Sequence, residues 1–75
     1  RIEQFRRATE ANPVDPLGYF SLGRALLDAG RHDDAVLALQ RALALDAKLS
    51  RAYQLLARAQ LALGRRQEAV DSLRQ

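Results

Sequence analysis

The stretch Tyr19–Leu39, YFSLGRALLDAGRHDDAVLAL, returns as Tyr53–Leu73, YQLLARAQLALGRRQEAVDSL, after an interval of 34 residues. Sliding the chain against itself by that interval sets Pro16–Arg41 on Ser50–Gln75, and 10 of the 26 pairs are identical. They are Tyr19/Tyr53, Leu22/Leu56, Arg24/Arg58, Ala25/Ala59, Leu27/Leu61, Gly30/Gly64, Arg31/Arg65, Ala35/Ala69, Val36/Val70 and Leu39/Leu73. Most are apolar, small or glycine, so what recurs is shape and turn geometry rather than chemistry. That is the signature of units that complete one continuous core by packing on their neighbours. Continued backwards, the same frame places Phe5 on Leu39 and Ala8 on Ala42, as the second half of a preceding unit.

Each unit reads as two helices. The run Asn12-Pro13-Val14-Asp15-Pro16 cannot lie inside a helix, because both prolines lack an N–H and restrict the residue before them. Asp15 suits an N-cap with Pro16 in the first turn. Beyond it Leu17, Phe20, Leu22, Leu26 and Leu27 recur at helical spacing. Gly30 ends that helix by accepting a positive φ. Asp33 and Asp34 open the next, where their charge suits a helix N-terminus, and Ala35, Val36, Leu39, Ala42 and Leu43 form its buried stripe. A second cycle runs from about Ser50 to Leu63, stops at Gly64 and resumes near Arg66. With an N-terminal segment near Ile2–Ala11, the expectation is five helices and no strand.

Composition agrees. Of 75 residues, 14 are Ala and 14 Leu, against three Val, one Ile and four aromatics, which is helix-forming stock. A chain of this size buries only about 60% of the surface its unfolded form exposes, leaving little apolar area for a deep substrate cavity. The absence of cysteine removes disulfides, thiolate metal sites and a cysteine nucleophile. The formal charge of +3 is uneven: residues 1–47 carry six Arg and seven acids, residues 48–75 six Lys and Arg and two acids. A basic second half favours an acidic peptide or a phosphate backbone, unless it is simply a solvated helix face. Neither a secretory leader nor an apolar run long enough for a membrane span is evident, so the expected location is cytoplasmic. Richness in Ala, Leu and Arg with a single Lys suggests a GC-rich bacterial source. A chain that opens at Arg1 and ends within a helical pattern is expected to be a piece of something longer.

These residues resemble the tetratricopeptide repeat family. The first full unit supplies that family's pattern as Tyr19, Leu22, Gly23, Leu26, Gly30, Ala35, Leu39 and Ala42. The second supplies Tyr53, Leu56, Ala57, Gly64, Ala69 and Leu73, and the N-terminal segment Phe5, Ala8 and Pro13. The resemblance implies an all-α fold, a right-handed superhelical array of antiparallel helix hairpins. It divides the chain into 1–15, the second half of a repeat, 16–49, a complete repeat, and 50–75, an incomplete one. Gly23 and Ala57 would let the two helices of a unit approach closely, Ala35, Ala42 and Ala69 would admit bulky neighbours, and Tyr19 and Tyr53 would fill the gap between units. Ala57, Gln60 and Ala47 depart from the family's Gly, large residue and closing Pro. The joint near Asp46–Ser50 is therefore expected to be less sharply turned than the one at Pro13.

The resemblance also implies a concave groove, lined by the first helices of successive units, that takes an extended peptide or a partner's helix. The residues expected to face it are Leu17, Phe20, Ser21, Arg24, Leu27 and Asp28, then Arg51, Gln54, Leu55, Arg58, Leu61 and Ala62. Arg24 and Arg58, one repeat apart, could hold carboxylates by forked hydrogen bonds beside Phe20, Leu55 and Leu61. Alternatively Arg24 does no more than pair with Asp28. The family's carboxylate clamp needs Lys or Arg and Asn where this chain has Leu17, Ser21, Arg51 and Leu55; only Arg51 fits, which argues against chaperone-tail binding.

No catalytic constellation emerges. Gly18–Ala25 has the glycine spacing of a phosphate loop, but Arg24 and Ala25 replace its Lys and hydroxyl residue, and it lies within a helix. His32 has no nearby constellation of metal ligands and is expected to pack at the inter-helix turn. Ser21, Ser50 and Ser72 lack a His base, and no cofactor or metal site is expected. The leading reading is a non-catalytic protein-interaction module with a protein or peptide partner, plausibly acidic. The alternatives are a structural or self-associating segment, whose apolar edges would be Ile2, Phe5, Val70 and Leu73, and, ranked last, nucleic-acid binding through Arg51, Arg58, Arg65, Arg66 and Arg74.

Overall fold

A computed structural model describes residues 1–75 and contains five helices and no strand: α1 (Ile2–Ala11), α2 (Pro16–Asp28), α3 (His32–Leu45), α4 (Ser50–Ala62) and α5 (Arg66–Leu73). Local chemistry sets the boundaries. Asp15 caps α2, its Oδ1 accepting from the Leu17 N–H at 3.0 Å, with Pro16 as the first helical residue. At the other end Gly30 takes φ +79°, its N–H donates to Leu27 O and the Arg31 N–H to Leu26 O. Gly64 (φ +78°) repeats both bonds, from Gly64 to Leu61 O and from Arg65 to Gln60 O. This paired closure satisfies the last carbonyls of a helix and reverses the chain, so each unit folds into a hairpin.

The core is built from α2, α3 and α4, with α1 packed against it. Leu22, Leu26, Leu27, Val36, Leu39, Leu55 and Leu56 are buried together with Ala35, Ala38, Ala52 and Ala59, and Ile2, Phe5, Phe20, Leu43, Leu49 and Leu63 flank them half-buried. Small residues permit the close approach. A Cβ at Gly23 would lie 2.7 Å from Leu39 Cγ, so the α2–α3 crossing depends on its absence. Ala35, Ala42 and Ala69 are buried as expected. Each helix packs on its neighbours in sequence; beyond that only α2 and α4 approach one another, while α3 touches neither α1 nor α5. The result is one wall built from α2 and α4 and an outer side built from α1, α3 and α5.

The joint after the first hairpin corrects an expectation. It turns as the Pro13 joint does. Asn12 (φ −139°, ψ 79°) and Asp46 (φ −147°, ψ 96°) leave their helices with similar dihedral angles, and both carbonyls accept from the N–H three residues on, at 3.3 Å. Asp46 supplies in addition what the missing proline does not: its Oδ1 accepts from the Lys48 N–H at 3.0 Å, a side-chain turn that holds the bend without a ring.

Candidate functional site

The α2/α4 wall carries two hollows that share Phe20 and Arg24. One, of ≈ 440 Å³, lies toward α4 and is lined by Leu17, Phe20, Arg24, Lys48, Leu49, Ser50 and Arg51. The other, of ≈ 400 Å³, lies toward α1 and is lined by Arg1, Phe5, Phe20, Ser21, Arg24, Ala25 and Asp28. Their chemistry differs. The first has a floor of Leu17, Phe20 and Leu49 and a rim of three cations, Arg24, Lys48 and Arg51, none of which pairs with an acid of the chain. The second includes the acid Asp28 beside Arg1 and Arg24. Arg24 and Asp28 are both exposed and form no ion pair, although they stand four residues apart on one helix.

Of the residues expected in the groove, Leu17, Phe20, Ser21, Arg24, Asp28 and Arg51 line one hollow or both. Gln54, Arg58, Leu61 and Ala62 are exposed but line neither. Leu27 and Leu55 are corrected outright: each is only 8% exposed and belongs to the core. Both are buried in one cluster with side chains of α2, α3 and α4, so positions that look groove-ward on an isolated helix are covered by their neighbours. Leu61, in register with Leu27, stays 53% exposed. Lys48 and Leu49 were not anticipated at the site; both lie in the α3–α4 joint, whose bend brings them beside α2. The signal in the sequence was the pair of cations, Lys48 and Arg51, that brackets the start of α4.

His32 is half-buried at the start of α3, its Nδ1 enclosed without a hydrogen-bond partner, near Leu63. No group of three His, Asp or Glu side chains converges as a metal site would require.

One model of the tetratricopeptide repeat matches residues 2–50 and a second matches residues 50–75. The chain belongs to the tetratricopeptide repeat family. Among curated tetratricopeptide repeat relatives it is 35% identical, over 95% of its length, to the small glutamine-rich tetratricopeptide repeat-containing protein 2 of Mycosarcoma maydis. It is also 39% identical, over 96% of its length, to a peroxisomal targeting signal receptor of Kluyveromyces lactis. It spans 20% and 13% of those two proteins. Among solved structures it superposes on MamA AMB-1 with a TM-score of 0.93 at 29% identity, covering 97% of this chain and 40% of that one. A second MamA crystal structure gives a TM-score of 0.92 at 32% identity, with 97% and 43% covered. The fold is therefore the tetratricopeptide repeat's right-handed superhelical array of antiparallel hairpins, a type that generally serves as a non-catalytic protein-interaction scaffold.

Proposed function

We propose that this tetratricopeptide repeat segment binds an acidic, partly apolar peptide or partner helix on its α2/α4 wall and performs no catalysis. The observation that carries the reading is the ≈ 440 Å³ hollow, where an apolar floor meets three cations without acidic partners. Guanidinium groups left free beside an apolar surface recognise carboxylates by forked hydrogen bonds while the floor takes an adjoining side chain. A relative named as a targeting-signal receptor accords with capture of a peptide. The same proposal divides the chain into 1–15, 16–49 and 50–75 as pieces of successive repeats, and sets it in the cytoplasm; no helix is long and apolar enough to cross a membrane.

The test is fluorescence anisotropy with a labelled peptide alternating Glu and Leu, against wild type, R24A/R51A and R58A. Loss of roughly tenfold or more in affinity for R24A/R51A, with helical content intact, is expected from two charge-assisted contacts. Unchanged affinity sinks the assignment. R58A decides separately whether a repeat-spaced Arg24/Arg58 pair takes part.

A second reading has its own observation. Leu27, Val36 and Leu39 are 8%, 4% and 0% exposed, whereas their register equivalents Leu61, Val70 and Leu73 are 53%, 40% and 59% exposed. That apolar flank suits packing on another body, the parent protein or a second copy. Sedimentation equilibrium that finds a strict monomer at high concentration removes self-association. Nucleic-acid binding is weaker still, since Arg65 is engaged by Asp33 (3.5 Å) and Glu68 (3.9 Å).

A further inference from the structure

Between α4 and α5 lies a further cleft that shares no lining residue with the two hollows above, and its chemistry departs from that of its own repeat equivalent. In the first hairpin Tyr19 is half-buried and the guanidinium carbon of Arg41 lies 5.8 Å from its ring centroid. That is within range of a cation–π contact, and no hollow opens there. The register equivalent of Tyr19 is Tyr53, but Gln75 stands where Arg41 would recur. At Tyr53 a hollow of ≈ 260 Å³ does open, lined in part by Gln60, Glu68, Asp71 and Gln75.

The substitutions between the two clefts run in one direction. Leu26 becomes Gln60, Leu37 becomes Asp71 and Ala38 becomes Ser72, while the acid Asp34 is kept as Glu68, so a mainly apolar position with one carboxylate and an arginine over its ring becomes an open cleft bearing two carboxylates. Gln60 is only 4% exposed; its Oε1 accepts from Ser72 Oγ at 2.8 Å, which fixes the amide plane, while its Nε2 has no partner within the chain. The carboxylates keep acceptor capacity. Asp71 accepts one bond, from Gln67 Nε2 at 3.2 Å, and Glu68 holds only a 3.9 Å ion pair with Arg65.

We infer that the Tyr53 cleft receives an arginine or lysine side chain from a basic polypeptide segment, the cation lying over the Tyr53 ring between Glu68 and Asp71. The first hairpin supplies that cation from within, as Arg41; the second lacks it and adds Asp71, where the first has Leu37, to the acid that Asp34 and Glu68 hold in common. A guanidinium satisfies the geometry best, being planar, weakly hydrated and able to stack on the ring while donating to both carboxylates. The free Gln60 Nε2–H is a donor, which a cation cannot answer but a backbone carbonyl beside it can, and this selects a peptide over a simple amine. The site shares no lining residue with the cationic hollow and takes ligands of opposite charge.

The test is a ¹H–¹⁵N titration of the whole chain with the capped peptide Ac-Ala-Arg-Ala-Arg-Ala-NH₂, with spermidine as a second arm. Expected are shifts at Tyr53, Asp71 and the Gln60 side-chain amide with the peptide. E68Q/D71N, changed at exposed positions, should weaken binding about fivefold to tenfold. Q75R should refill the cleft from inside, as Arg41 does at Tyr19, and abolish the Tyr53 shifts without loss of helix. Shifts confined to other acidic residues, full affinity in Q75R, or equal response to spermidine would overturn the inference. The acidic-peptide titration above reads a separate site, so either proposal can fail alone.

Discussion

Ser72 Oγ donates a 2.8 Å hydrogen bond to Gln60 Oε1, joining α5 to α4 at the two positions where the first hairpin places Ala38 and Leu26. Both residues are buried, so the pair behaves as a unit. S72A removes a partner and leaves the amide oxygen unsatisfied, and should lower stability by about 1–3 kcal/mol. Q60L/S72A restores the apolar pair of the first hairpin and should be nearly neutral or stabilising. Urea unfolding of the two variants checks this; equal losses in both would mean that the bond contributes nothing.

Glycine acts in two different ways here, and substitution separates them. G23A drives a methyl to 2.7 Å from Leu39 Cγ and should destabilise by about 1–3 kcal/mol through overpacking. At Gly30 and Gly64 an added Cβ meets nothing within 4 Å, so the penalty is only that of holding a side chain at positive φ, about 1 kcal/mol each. Thermal denaturation should rank G23A below both. A G23A protein as stable as G64A would show that Leu39 can move aside.

The second joint should accept the proline that the first one carries. Ala47 occupies the place of Pro13, its N–H makes no backbone hydrogen bond, and Asp46 before it is already extended. A47P should therefore be tolerated and should stabilise by about 0.4–1 kcal/mol through the unfolded chain. D46A removes the acceptor for Lys48 N–H and should destabilise by roughly 1 kcal/mol. Melting temperatures that fall for A47P would place the bend outside proline's reach.

Removing the α2 cap is a smaller and cleaner perturbation. D15A loses the 3.0 Å acceptor for Leu17 N–H and should reduce stability by about 1 kcal/mol, with D15N retaining most of it. Hydrogen exchange should quicken first in the Leu17–Tyr19 amides; uniform change along the chain would deny the cap a local role.

Most of the architecture was readable because it rests on short-range rules: proline and aspartate at a helix start, glycine at positive φ, small residues at fixed intervals. Burial at the α2/α4 junction was not. Leu27 and Leu55 have the spacing of groove residues on a single helix, and only the packing of neighbouring helices decides that they are covered. Leu61 shows the converse, since an identical register position is open where no helix faces it. The Gln60–Ser72 bond was illegible for a related reason: each residue alone is a polar misfit in a buried stripe, and only the pair makes sense. Lys48 escaped notice because it stands in a joint, where no periodicity points inward.

The pattern in which helices touch their sequence neighbours and almost nothing else has a kinetic meaning. Apart from the α2–α4 approach and the Asp33–Arg65 ion pair, contacts join helices adjacent in sequence and need no long loop closed, so folding should be fast for the chain's length. Ser72, Glu68 and Asp71 all stand on α5, which packs on α4, so the Tyr53 cleft exists only while that helix pair is closed.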